Sequence, residues 1–161
     1  MLLKKLSQKY RYLVKARKKG IYRINRYALT ASLDARNYLR INIPFRVGSE
    51  EGNSYQVIFS VAPDAGVERL SQILENGYTK VYCNCPDFKF RLAYALQKRY
   101  QIVLPHPDLK LALTLPPRST NPWLKTRLCK HTIMVYRILQ KYKITELIEE
   151  DIQTVYDWQG G

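Results

Sequence analysis

Two pairs of metal-ligating residues stand out in the sequence. Cys83 and Cys85 lie one residue apart in "VYCNCPDFKF", and Cys129 and His131 repeat that spacing in "LCKH". A disulfide between such close neighbours is strained. The four residues use all 3 cysteines and one of the 2 histidines in the chain. Three thiolates and an imidazole make a closed, four-coordinate zinc shell. On a strand, residues i and i+2 point to the same side, so Cys83 and Cys85 can present both sulfurs to one ion. In a helix interior the same spacing diverges by about 200°. Cys129 is therefore expected at a helix entrance, with His131 in the first turn. There the positive end of the helix dipole favours a thiolate. A Cys3His site with neutral histidine carries a formal charge of −1, which Arg127 and Lys130 could offset. The plainer reading is three separately buried thiols and a surface histidine, since free cysteine is commonly buried.

Catalytic readings are weaker. A Cys129–His131 nucleophile pair needs mutual hydrogen-bond reach and a third orienting group. A catalytic zinc needs an open position, and here four protein ligands fill the shell. Asp87 could accept a hydrogen bond from a ligand or simply sit as an acid at a helix start. His106, between Pro105 and Pro107, reads as a loop residue. The 7 glycines are scattered and form no phosphate-cradling loop. We expect no enzyme activity and no small-molecule substrate.

The elements that must position these residues follow from periodicity. Residues 2–18 have near-helical apolar spacing. "IYRINRYAL", "YLRINIPFRV" and "SYQVIFSV" alternate as strands, with "GSEEGN" as a hairpin loop. "VERLSQILENG" reads as a short helix ended by Gly77. "TKVYCNC" is a fourth strand running into the thiols. Pro86 and Asp87 open a helix through "DFKFRLAYALQKRY". Five prolines between 101 and 128 forbid regular helix there. "CKHTIMVYRILQKY" is a helix with a broad apolar face, and "TELIEEDIQTVYDW" is read as an acidic helix. The expected fold is α+β: a small antiparallel sheet, a zinc-stabilised core and C-terminal helices. Residues 1–20 form a basic arm or helix, and 21–161 a single domain.

At this point the Cys-x-Cys on a strand, followed by "CKH" opening a helix, resembles the SWIM zinc finger. The likeness covers Val81–Cys85 and Cys129–Leu139. It implies one structural Zn2+ per chain held by Cys83, Cys85, Cys129 and His131. Modules of that family bind nucleic acids or proteins. The longer pattern, "CNCPDFKFRLAYAL" with "NPWLKTRLCKH", also resembles small zinc-binding proteins of tailed bacteriophages, which are closer to virion components than to enzymes.

Charge bounds the partners. The 161 residues carry 27 Lys and Arg against 13 acids, a formal net charge of +14. Met1–Arg26 holds ten bases and no acid, whereas Ile144–Gly161 holds five acids and no base. Such a basic end implies nucleic acid, an anionic membrane surface or an acidic protein face. Lys4, Lys5, Lys9, Arg11, Lys15, Arg17, Lys18 and Lys19 are the candidate contacts. Tyr10, Tyr12, Tyr22 and Tyr27 stand among these bases, suited either to base stacking or to protein interfaces. No apolar run approaches the ~20 residues of a membrane span. The charged N-terminus does not suit a signal peptide, so synthesis in a cytoplasm is expected. The favoured role is a subunit of a phage-type neck, tail or baseplate, incorporated in a virion. A nucleic-acid-binding module and a protein–protein adaptor are the rivals.

Overall fold

The computed structural model describes residues 22–49, 52–103, 113–114, 116–117, 120–121, 128–149 and 155–158. The expected basic arm, its eight candidate contacts, Arg127 and His106 lie outside these residues.

Six strands form one antiparallel sheet: β1 (Tyr22–Arg26), β2 (Thr30–Leu33), β3 (Leu39–Ser49), β4 (Ser54–Val61), β5 (Lys80–Cys83) and β6 (Val155–Trp158). Their order is β5-β4-β3-β1-β6, with β2 also paired to β3. The period of two decides which side is buried. Ile43, Phe45 and Val47 of β3 face Phe59, Val57 and Tyr55 of β4. Val81 and Cys83 of β5 continue that side opposite Phe59 and Val57. All of these are buried except Tyr55, which is partly so. Arg40, Asn42, Pro44 and Arg46 take the opposite face of β3.

β1 and β2 share one edge of β3 but differ in register. Arg26 faces Phe45, whereas Thr30 faces Asn42, so the first chain uses one residue more than the second. Pro44 supplies the reason. Its carbonyl accepts the Tyr27 amide at 2.9 Å, but proline has no N–H to return, and proline inside a sheet belongs at a bulge. The single strand expected over 21–29 is therefore broken after Arg26, and the chain resumes as β2.

Helices whose bounds lie among the described residues follow: α1 (Leu70–Ile73), α2 (Ala93–Lys98), α3 (Lys130–Leu139) and α4 (Ile144–Glu149). Helix α3 packs on β4 and β5, and buries Ile133, Val135, Tyr136 and Leu139. The helix expected over 67–77 is only one turn. Gly77, with φ of +88°, lies beyond it in the left-handed region. Of the acidic helix expected over 145–158, the part through Glu149 is helical as α4, whereas Val155–Trp158 is a strand. It pairs with β1, Tyr22 facing Trp158 and Asn25 facing Val155. β-Branched and aromatic residues suit that open edge. The molecule is thus α+β, with a small antiparallel sheet, helices in the C-terminal half and the Cys/His group in its core. No helix among the described residues is long and apolar enough to cross a membrane.

The helix expected from Asp87 is not uniform. Phe88–Leu92 is π-helical and only then becomes α2. A π turn misaligns carbonyls from their usual amide partners, and such turns are frequent at functional sites. Here the proline-rich insert satisfies them. Thr120 Oγ1 donates to the Phe90 carbonyl at 2.7 Å, and Asn121 Nδ2 to that of Arg91 at 2.8 Å. Asn121 is 9 % exposed. Asn121→Ala is expected to lower unfolding stability by about 0.5–1.5 kcal/mol, the net contribution of one partly buried hydrogen bond. Denaturant unfolding of the variant checks it, and no change would show that the insert is not a clamp.

Candidate metal centre

Strand β5 delivers the first pair. Asn84 points away from the sulfurs, and its Oδ1 accepts the Gln56 amide at 2.8 Å while its own amide reaches the Gln56 carbonyl at 3.2 Å. That exchange extends the β4–β5 pairing past Cys83 and holds Cys85 on the same side. Each sulfur then receives a backbone donor. The Cys85 amide lies 3.5 Å from Cys83 Sγ, and the Phe88 amide, opening the π turn, lies 3.4 Å from Cys85 Sγ. Donors of this kind stabilise negative charge on sulfur.

Helix α3 delivers the second pair. Cys129 is its N-cap, with extended backbone at φ −73° and ψ 165°, and His131 lies in the first turn. Thr132 Oγ1 donates to the Cys129 carbonyl at 2.8 Å and sits 3.3 Å from its sulfur. His131 turns Nδ1 toward Cys83 Sγ, 3.9 Å away. Its ring is held by Tyr55, with centroids 4.7 Å apart, and edge-on by Tyr22 at 6.3 Å. Neither tyrosine is adjacent in sequence to a ligand. Only the pairing of β4 with β5 and the position of β1 bring them there.

The ligand atoms of Cys83, Cys85, Cys129 and His131 all lie within 4.8 Å of one another, and all four residues are buried, His131 the most exposed at 3 %. Four soft or borderline donors at this separation could hold one metal ion. The remaining charged neighbours are engaged nearby. Lys130 Nζ donates to the Tyr22 hydroxyl at 3.2 Å and lies 5.5 Å from that ring's centroid. Asp87 pairs with Arg91 at 3.5 Å, as an acid at a helix start. Asp87, Lys130, Tyr55 and Pro86 join three of the ligands around a cleft of about 180 Å³.

Three thiols packed together cannot all ionise without a cation. Burial pushes the Cys83 thiol far up. Cys85 is pushed up to about 12, first by its hydrogen bond to Cys129. Burial also opposes ionisation of Cys129, but hydrogen bonds from Cys83, Cys85 and His131 outweigh it and hold that thiol well below its ordinary value. Of the three thiols, Cys129 is the one held toward ionisation, at the N-terminus of α3, where the dipole also favours a thiolate.

The chain matches no family model, no curated protein and no solved structure, so its likeness to Cys-x-Cys, Cys-x-His zinc modules rests on spacing and on this geometry.

Proposed function

We propose that the four residues hold one structural zinc ion, and that the protein is a non-enzymatic subunit with a fixed place in a protein assembly. A phage neck, tail or baseplate is the setting that the sequence resemblance suggests, with synthesis in a cytoplasm and incorporation in a virion. The observation that carries the zinc reading is the buried four-donor group with ligand atoms within 4.8 Å. Tetrahedral thiolate and imidazole donors favour zinc over hard cations, and four protein ligands leave no position for substrate. The ion would tie the end of β5 to the start of α3 across 43 intervening residues. Exposed aromatic side chains, among them Tyr38, Tyr78, Phe90 and Tyr100, suit protein contacts. The net charge of +14 favours the second reading, a module that binds nucleic acid.

Elemental analysis of the purified protein tests the metal, with about one zinc per chain expected for one four-ligand set. A folded protein without metal would sink the assignment. A second measurement uses the thiols. Cys83 and Cys85 are raised and so protonated near neutrality, whereas Cys129 is lowered. Zinc loading near neutral pH should therefore release at least two protons, and affinity should drop by about a hundredfold or more for each pH unit of acidification. The sign follows from competition: protons rebind the same sulfurs as pH falls. Calorimetry in buffers of differing ionisation enthalpy reads the count, and a pH-independent affinity would contradict thiolate ligation.

A further inference from the structure

Tyr100 breaks a local rule. It follows α2 with φ of +57°, in the left-handed region that side chains disfavour. The helix closes there as a Schellman turn. The Tyr100 amide donates to the Gln97 carbonyl and the Gln101 amide to that of Leu96, both at 3.0 Å. Glycine usually holds this place, and asparagine sometimes does. A tyrosine costs stability there, and its ring returns little to the fold. Tyr100 is 84 % exposed, and its side chain has no hydrogen bond or ring contact among the described residues. Strained positions of this kind cluster where a ligand is held.

A second exposed ring lies at the same end of the sheet. Ile102 bridges Val81 of β5 in parallel. The Val81 amide donates to the Gln101 carbonyl at 2.8 Å, and the Val103 amide to that of Val81 at 3.1 Å. Parallel pairing sets the residues before Val81 and those before Ile102 at one end. Tyr78, 67 % exposed, is therefore at the end that holds Tyr100. Cations stand beside both rings. Lys80 opens β5 two residues after Tyr78, and the exposed Arg99 directly precedes Tyr100. Phe88–Tyr100 holds four bases and no acid. The nearby acids are engaged: Glu75 accepts the Tyr136 hydroxyl, and Asp34, which acts on Lys80, accepts the amides of Arg36 and Tyr38.

We propose that Tyr78 and Tyr100, with Lys80 and Arg99, form a platform on which a single strand of nucleic acid stacks its bases. Every base has a π face, so the stacking reads no sequence, and the phosphates meet the two cations. Rings and charge together select this occupant. The core of a protein interface also gathers aromatics, but it is depleted of lysine and of charge. Here each ring has a base within two residues along the chain. A duplex keeps its base faces inside its own stack, so an open strand fits the exposed rings better. The inference rests on the second reading above, a module that binds nucleic acid, and names its surface and the form of its ligand.

The test uses the full-length zinc-loaded protein and a labelled oligothymidylate of about 16 nucleotides, the upper end of single-domain site sizes. Fluorescence anisotropy is read at ~50 mM salt, where phosphate contacts are little screened. The single strand is expected to bind more tightly than a duplex of the same length. Tyr100→Gly should weaken strand binding roughly tenfold, within the range of one lost base stack. The same change should raise the melting temperature, because glycine takes the left-handed conformation freely. Lost binding then cannot be lost folding. Tyr100→Phe keeps the ring and should keep the affinity, and Tyr78→Ala should weaken binding as Tyr100→Gly does. Unchanged affinity in Tyr100→Gly and Tyr78→Ala would overturn the platform. Tyr100→Phe as weak as Tyr100→Gly would overturn stacking, and equal affinity for strand and duplex would overturn the single-stranded ligand. A protein partner lost in Tyr100→Gly, with strand affinity intact, would hand the surface to protein. The two readings fail separately. No binding to strand or duplex sinks the nucleic-acid reading, while binding that ignores both rings sinks the platform alone.

Discussion

Removing the metal is expected to unfold the region from β5 through α3. A structural zinc ion contributes on the order of 10–16 kcal/mol in small zinc-finger peptides, as much as the whole stability of a typical domain. The tertiary context makes the loss worse than the removal of a surface cross-link. Cys83, Cys85 and Cys129 are members of the buried core itself, and Cys83 faces Val57 within the sheet. Without a cation, burial and mutual proximity hold Cys83 and Cys85 protonated, and the bonds that tie β5 to α3 are lost. Cys129→Ser is expected to cost the same order as chelation, since a serine hydroxyl is a poor zinc ligand and would itself be buried. His131→Cys offers the control. It restores a four-thiolate shell, another common structural set, and should retain zinc where His131→Ala does not. Circular dichroism and thermal melting with and without chelator read the outcome. A chelated protein that melts at the unchanged temperature would remove zinc from any account of this fold.

A salt titration of partner and DNA affinities on one preparation should separate the two functional readings by orders of magnitude. If basic side chains neutralise about six phosphates, affinity for duplex DNA falls about a thousandfold between ~50 and ~200 mM salt. Contacts built on desolvated aromatic and apolar anchors lose far less, because screening acts mainly on exposed charge. We expect DNA binding that is weak, non-specific and gone near physiological salt, beside protein binding that persists. Sub-micromolar DNA affinity near ~200 mM salt, with no stable protein partner, would make nucleic acid the ligand.

What the sequence by itself determined is local. Donor type and spacing single out Cys83, Cys85, Cys129 and His131, because strand parity and the geometry of a helix start follow from a few consecutive residues. The alternation in "YLRINIPFRV" and "SYQVIFSV" likewise marks β3 and β4 and their buried sides, and the apolar face of "HTIMVYRIL" marks α3. Only the tertiary structure decided what depends on a distant partner. Val155–Trp158 sits after an acidic helix and reads as its continuation, yet the edge of β1, more than a hundred residues earlier, makes it a strand. Pro44 sits inside a convincing strand pattern, and its missing N–H matters only because Tyr27 lies across from it. The π turn after Cys85 is held by Thr120 and Asn121, from a segment that reads as irregular on its prolines although residues 113 and 114 within it are helical. Tyr55 and Tyr22 flank His131 for the same reason. Side-chain periodicity records which face a segment buries; it carries no record of which other segment completes its hydrogen bonds, and that choice is made when the sheet assembles.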